Sequence, residues 1–291
     1  MKDYLVRAII GEGDARVLAA RTTHLVEEAR EKHDTAHTVT AALGRSLSGA
    51  AMLGAQLKEE GIVTIRIAGG GPIKGIIAQA DHQGNVRGYA IEPRLFVPLK
   101  EDGKLDVGGA VGDQGKLYVT YDLKLKEPYT GVSELINGEI GEDLTYYLAH
   151  SEQIPSAVSL GVLVGPAGEV RASGGFMVQM MPKAESSLVE EIENRISKAA
   201  FISSLIEEGL TPEEITEKLF GEFKVQFLEK RELNYHCGCS RDRITSMLLS
   251  LGKEELQDML EEDGGAEIRC HFCGEKNVFS EEEIRVLLKE F

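Results

Sequence analysis

Four cysteines, Cys237, Cys239, Cys270 and Cys273, are the residues whose type and spacing point most directly to chemistry. They form two close pairs, Cys-Gly-Cys and Cys-His-Phe-Cys-Gly, separated by thirty residues, and no cysteine precedes position 237. Zinc takes soft ligands in a tetrahedron, and two short chelating arms can close on one ion. The four cysteines are therefore assigned as ligands of one Zn²⁺ per chain in the reduced state. The Cys-x-x-Cys-Gly half looks like a zinc knuckle, whereas Cys-x-Cys departs from the usual ribbon spacing. Gly238 and Gly274 are expected to permit backbone turns that other residues resist. His236 and His271 adjoin the cysteines but are expected not to bind the metal, since four thiolates complete the shell. Arg241, Arg243, Arg269 and Lys276 are close enough in sequence to offset the negative charge of a four-thiolate site, though for any one of them solvated surface charge is the preferred reading.

Thiolates are also what oxidants attack, and an oxidised cysteine is a poor ligand. Disulfide pairing would favour near neighbours, because a short loop closes at lower entropic cost than a long one. Cys270–Cys273 is feasible on this ground, and Cys237–Cys239 is feasible but tighter. A zinc staple without redox function is the competing reading of the cysteines alone. Magnitude decides what the metal does for the fold. A module below about 70–80 residues gains only about 3–5 kcal/mol from its own core, against roughly 10–16 kcal/mol from structural zinc in small peptides. Loss of zinc is expected to unfold the module that carries these cysteines.

The elements that must position the cysteines belong to a chain of 291 residues, long enough for two domains. An alternating strand opens it at Tyr4–Ile10, followed by a strand at 15–22, a polar helix at 24–31 and a helix rich in small residues at 38–58. Strands are predicted at 62–68, 73–81, 86–91, 116–125, 156–164 and 170–178, which gives an α+β class. The composition shifts at Met180-Met181-Pro182, and residues 185–222 carry ten acidic and three basic side chains. An apolar stripe through Leu188, Ile192, Ile196, Ala199 or Ala200, and Ile202 or Leu205 marks a helix. Thr211, Pro212 and Glu214 spell a capping box for the next one. Isolated short helices are marginal in water, so both should depend on docking against a neighbour. The expected organisation is an N-terminal mixed α/β-sheet domain over 1–182, a helical linker over 183–231 and a small zinc-binding α+β domain over 232–291. That last part should contain helices at 240–251 and 253–262 and a hairpin at 267–270 and 276–279 with Cys270 and Cys273 in its turn. A terminal helix capped by Ser280 and Glu283 should follow, with Ile284, Leu287, Leu288 and Phe291 facing inward.

Charge narrows the function. With 48 acidic and 32 basic residues the formal net charge is −16, which repels phosphate backbones and argues against a nucleic-acid partner. No run of about 18 apolar residues suggests a membrane span, and Met1-Lys2-Asp3-Tyr4 lacks the apolar core of a signal peptide. A cytoplasmic location is expected, where thiols stay reduced. Gly69-Gly70-Gly71-Pro72 lacks the Lys-Ser/Thr ending of a phosphate-binding loop and reads as a turn. Asp81, His82, His150 and the other carboxylates show no catalytic spacing, so no catalytic residue is assigned and the chain is not expected to be an enzyme.

The run Tyr235-His236-Cys237-Gly238-Cys239-Ser240-Arg241-Asp242-Arg243, with Leu251-Gly252 and Cys270-His271-Phe272-Cys273, resembles the redox-regulated thirty-three-kilodalton heat-shock proteins. Gly71-Pro72-Ile73, Ser151-Glu152-Gln153-Ile154-Pro155-Ser156 and Gly174-Gly175-Phe176-Met177-Val178-Gln179 extend the resemblance over essentially the whole chain. The resemblance implies an ATP-independent stress-response chaperone, silent when reduced and zinc-bound. Oxidation would form two disulfides among Cys237, Cys239, Cys270 and Cys273, release zinc, and unfold the last module and the linker. Unfolded client proteins would then bind newly exposed surface, and the chain would form a homodimer. A thiol–disulfide oxidoreductase using Cys270 and Cys273, and a zinc-ribbon interaction module without redox function, are the alternatives. No thioredoxin-like context surrounds the cysteines to favour the first.

Overall fold

The computed structural model describes residues 2–58, 60–182, 184, 190–192, 194–196 and 202–291. The chain divides into two units, Met1–His236 and Cys237–Phe291. The class is α+β.

In the first unit, β1 (Tyr4–Ile10) and β2 (Ala15–Arg21) form a hairpin, and α1 (Thr23–His33) and α2 (His37–Gly54) follow. The next strands are β3 (Ile62–Ala68), β4 (Ile76–Asp81) and β5 (Asn85–Ala90), then a short α3 (Val107–Val111). After it come β6 (Lys116–Asp122), β7 (Tyr129–Glu134), α4 (Gly141–His150), β8 (Ser156–Val164) and β9 (Val170–Met180). The unit ends with α5 (Ile202–Glu207), α6 (Pro212–Phe220), β10 (Val225–Glu232) and β11 (Asn234–Tyr235). One sheet has the order β10-β1-β2-β9-β8 and the other β11-β5-β4-β3-β6-β7; only the β11–β5 pairing is parallel.

The small residues of α2 explain its place. It is buried along almost its whole length and contacts strands of both sheets, as a helix apolar on every side must be. A Cβ on Gly44 would stand 2.7 Å from Val26 Cγ1, and one on Gly49 would stand 2.6 Å from Leu144 Cδ1. The glycines are there so that neighbours can close on the helix. A buried hydroxyl cluster adds direction to this apolar core: Thr22 Oγ1 lies 2.7 Å from Ser48 Oγ and 2.9 Å from Ser173 Oγ.

The face of the first sheet that carries Tyr4, Val6, Ala8, Val17, Ala19, Phe176 and Val178 is covered by Ile192, Ile202, Leu205, Ile206, Ile215, Leu219 and Phe220. The stripe expected at 188–205 thus meets a sheet face at Ile192 and Ile202; Leu188, Ala199 and Ala200 lie outside the described residues. Phe176 and Phe220 meet edge to face, with ring centroids 6.1 Å apart. Thr211 and Glu214 form the expected capping box, with Pro212 in the first turn of α6. Tyr4 Oη donates to Glu213 at 2.6 Å, and Lys230 Nζ stands 3.2 Å from the same carboxylate and 3.7 Å from the Tyr4 ring centroid. Burial raises Glu213, but the hydrogen bonds from Tyr4 and Lys230 outweigh it and hold the carboxyl below its ordinary range.

Residues expected as a helical linker up to 231 include a strand instead: 225–232 pairs antiparallel with β1. The charged run Glu229-Lys230-Arg231-Glu232 has helix-forming side chains, yet pairing with an open sheet edge overrides local preference. Strand β7 and helices α3 and α4 were not legible in the hydrophobic pattern. α4 is held by Asp143, whose carboxylate accepts from the backbone N–H groups of Ile136 at 2.7 Å and Ile140 at 2.7 Å.

In the second unit, α7 (Arg241–Leu251) and α8 (Lys253–Asp263) precede the hairpin β12 (Gly265–Arg269) and β13 (Lys276–Ser280). Helix α9 (Glu281–Leu287) and one 3₁₀ turn (Leu288–Glu290) close the chain. Ser280 and Glu283 form the expected capping box, and Ile284 is fully buried with Leu287 and Leu288 packed beside it. Phe291 does not face inward. It is 55% exposed, because the helix ends before it and nothing turns the last residue back.

Candidate metal centre

Each cysteine pair is held by backbone that its neighbours organise. Cys270 and Cys273 sit in the loop between β12 and β13, whose last paired residues are Arg269 and Lys276. Gly274 N donates to Cys270 O at 2.8 Å and Cys270 N donates to Glu275 O at 3.0 Å. Gly274 has a φ of 71°, the left-handed conformation expected of it. Arg269 Nε donates to Gly274 O at 3.1 Å and locks the same turn from outside. Cys237 and Cys239 precede Ser240, which caps α7 by accepting from Arg243 N at 3.2 Å. Gly238 differs from its expectation: its φ is not positive, and the nearest atom to an added Cβ is Arg243 Nη1 at 4.0 Å. Neither backbone strain nor crowding demands glycine there.

The four sulfurs lie within 4.8 Å of one another, and each cysteine is part-buried. The nearest cross-pair contacts are Cys237 Sγ to Cys270 Sγ at 3.6 Å and Cys239 Sγ to Cys273 Sγ at 3.3 Å. No disulfide joins the four, and these distances are well beyond the ~2.05 Å of an S–S bond. Four sulfurs placed ~2.3 Å from a central zinc stand about 3.8 Å apart in a tetrahedron. The donor set and its spacing therefore fit a four-coordinate soft ion with little rearrangement. Among the described residues no other group of three or more His, Cys, Asp or Glu side chains converges in this way, and neither His236 nor His271 belongs to it.

Electrostatics within the cluster are of a kind that a bound cation would relieve. Burial raises Cys237, but hydrogen bonds from the Cys239 backbone N–H and from the other thiols outweigh it and lower its pKa. Cys239 is pushed up by burial, by the hydrogen bonds it gives to Cys273 and Cys237, and by the negative charge of Cys237 and Cys270. Cys273 is raised chiefly by burial. One thiolate therefore forms readily and opposes the next ones. A divalent cation among the sulfurs reverses that opposition, since metal ligands must be deprotonated and the ion's own charge dominates the site.

Three of the four basic residues considered as counter-charges, Arg241, Lys276 and Arg269, have other partners. Arg241 pairs with Glu283, donates to Val278 O at 3.1 Å and stacks 4.2 Å from the Phe279 ring centroid. Lys276 pairs with Glu267 at 2.8 Å. Arg269 serves the turn. Arg241 thus ties the start of α7 to the hairpin and to α9, a role that its charge alone did not reveal.

Upstream of the cysteines, the chain leaves the edge of one sheet and joins the other. Leu233 N donates to Asp3 O at 3.1 Å, Asn234 N to Gly84 O at 3.0 Å and His236 N to Val86 O at 2.9 Å. Tyr235 Oη lies 3.0 Å from His33 Nε2 and donates to Gly88 O at 3.2 Å. Tyr235 is thus an anchor two residues before the first cysteine, and only its place near Cys237 in the sequence hinted at it.

A two-sheet α+β unit followed by a small four-cysteine unit defines a class that known proteins share. The profile of the family described as Hsp33 protein matches residues 3–280. The 33 kDa chaperonin of Bacillus subtilis is 49% identical over 285 residues, covering 98% of each chain. That of Listeria monocytogenes serotype 4b is 49% identical over 292 residues, covering 100% of this chain and 99% of the relative. The crystal structure of the 33 kDa chaperonin from Thermotoga maritima superposes with a TM-score of 0.92 at 41% identity, covering 100% of this chain and 99% of that one. The chain belongs to the Hsp33 family.

Proposed function

We propose that this chain is a redox-regulated, ATP-independent chaperone that holds unfolding proteins. The observation that carries the reading is the convergence of four cysteine side chains in a unit whose own core is small. Cys237, Cys239, Cys270 and Cys273 hold one Zn²⁺ in the reduced state, and the bound ion supplies the cross-link that keeps the second unit folded. The names of the 33 kDa chaperonins support the chaperone assignment, and the absence among the described residues of any helix long and apolar enough to cross a membrane is compatible with a cytoplasmic setting.

Activation follows from thiol chemistry. Two thiols joining as a disulfide lose two protons and two electrons, and one peroxide accepts them to become two waters. Each disulfide removes two zinc ligands, and near-neighbour pairs, Cys237 with Cys239 and Cys270 with Cys273, close the shortest loops. Without its metal the second unit loses the larger part of its stability. Segment 183–231 then acts as the element that gives way: its described helices cover an apolar sheet face, and lifting them would present that face to unfolded chains and to a second oxidised copy.

The test is zinc content, free thiols and aggregation suppression, measured before and after peroxide at a mildly unfolding temperature. Release of about one zinc per chain together with new suppression is expected. An unchanged oxidant response in the variant carrying Cys237→Ser and Cys239→Ser would sink the reading.

A further inference from the structure

The edge strand β7 was not foreseen from sequence and has no assigned role. It forms one end of the six-stranded sheet and pairs only with β6. The register runs from Tyr121↔Tyr129 to Lys116↔Glu134 without a bulge. It continues into Leu135, whose N–H donates to Gly115 O at 3.0 Å. In an antiparallel pair only alternate residues exchange hydrogen bonds with the partner. Leu135, Ser133 and Gly131 therefore direct their backbone groups to β6, and Thr130, Val132 and Glu134 direct theirs outward. The 2.9 Å approach of Thr120 Oγ1 to Thr130 Oγ1 fits the closer, non-bonded position in that alternation.

An exposed row of unpaired N–H and C=O groups is a template for another strand, and proteins usually blunt it. The other edges here are blunted. β10 carries Glu229, Lys230, Arg231 and Glu232 and pairs with β1 across a register shift; β11 has two residues. β8 pairs with β9 across a register shift between Leu163 and Val164. β7 has none of these devices: no proline, no lysine and no bulge. Its Tyr129 and Val132 are 54% and 42% exposed. Beside the strand, Tyr146, His150 and Ser151 of α4 and its C-terminus border a groove of about 330 Å³ together with Lys116, Val132, Ser133 and Glu134. That groove can receive the alternate side chains of an added strand, which is how strand addition combines backbone affinity with side-chain selection.

We propose that β7 is a docking edge for an extended segment of an unfolded polypeptide, one with alternating apolar side chains and positive charge. The inference deepens the chaperone reading and rests on it for the identity of the partner. Main-chain hydrogen bonding does not depend on sequence, as a protein that holds unrelated chains requires. A second copy is the less suitable occupant, since each copy carries a net charge of −16 and brings Glu134 to the same edge.

The experiment titrates the full chain, before and after peroxide, into a short fluorescent peptide of alternating lysine and valine. The same peptide N-methylated on alternate residues is titrated in parallel. Val132→Pro removes an outward N–H and leaves the β6 ladder intact; Val132→Lys blunts the edge without touching the backbone, and circular dichroism checks both folds. We expect N-methylation, and each variant, to weaken peptide binding by about tenfold or more, the loss of one or two backbone hydrogen bonds. Equal binding of the two peptides, or by wild type and a folded Val132→Lys chain, overturns the proposal. So does a variant that becomes monomeric in sedimentation while its peptide affinity is unchanged, because the occupant is then a second copy. Failure of the oxidised wild type to suppress aggregation counts against the chaperone reading alone, since the peptide titration does not depend on it.

Discussion

The two units reach stability by different routes. In Met1–His236, α2 is buried between strands of two sheets, and a second apolar cluster lies under α5 and α6. In Cys237–Phe291 the fully buried apolar set is Ile244, Leu248, Leu256, Phe279 and Ile284. That set is small for a unit with three helices and a hairpin. Its helix caps at Ser240 and Ser280 contribute about 1 kcal/mol each, far below the roughly 10–16 kcal/mol of a structural zinc site. The comparison teaches that local signals shape the second unit, while on the proposed zinc-holding role four sulfurs would decide whether it stays folded.

Chelation is the largest test of that contrast. A strong zinc chelator should unfold residues 237–291 and loosen segment 183–231 but leave the rest of the two-sheet unit ordered, read by hydrogen exchange as protection lost in α7–α9 and β12–β13 but kept in α2 and β9. Loss of protection in both units at once would show that they are not energetically separate. The next largest effect belongs to the first unit's own core. Phe220→Ala should destabilise it by about 3–5 kcal/mol, because Phe220 is fully buried against Phe176, and zinc affinity should stay unchanged in a metal titration. In the second unit, Leu248→Ala should cost about 2–5 kcal/mol and become visible mainly as a lowered chelator concentration for unfolding.

Smaller effects probe how α6 is held. Thr211→Ala removes a cap that accepts from Glu214 N at 3.2 Å and should cost about 1 kcal/mol, with protection falling first in α6. Acid acts on the same docking. Glu213 is held below the ordinary glutamate value of about 4.3 by Tyr4 and Lys230. A depressed carboxyl stabilises the folded state above its unfolded pKa and ceases to do so as pH falls through the lower folded value. Protection of α6 should therefore be constant from neutral pH down to the ordinary carboxylate range and fall below it. Glu213→Gln should flatten that acid limb; an unchanged limb would assign it to other carboxylates.

Much of this was written in the chain, and the exceptions share a cause. Cys237, Cys239, Cys270 and Cys273 were identifiable as one site because pairs at short spacing behave as chelating arms wherever the fold puts them, and the structure brings their sulfurs within 4.8 Å. The capping boxes at Thr211 and Ser280 are local hydrogen-bond patterns and needed no tertiary knowledge. The strand at 225–232 was hidden, since charged residues that favour a helix were recruited by the open edge of β1. β7 was hidden for a related reason: Tyr-Thr-Gly-Val-Ser-Glu has little apolar alternation, and its pairing with β6 gives it its form. Tyr235 is a plain aromatic in sequence and an anchor across 202 positions to His33 in space.

By itself, then, the sequence determined the α+β class, the grouping of four cysteines as one candidate metal site and the capped helix starts at Thr211 and Ser280, because each depends on residues close together along the chain. Only the tertiary structure decided which sheet face the 202–220 helices cover, which strand edge is left open and that Arg241 ties α7 to the hairpin. Those outcomes depend on pairing and burial between distant segments, which no local pattern encodes.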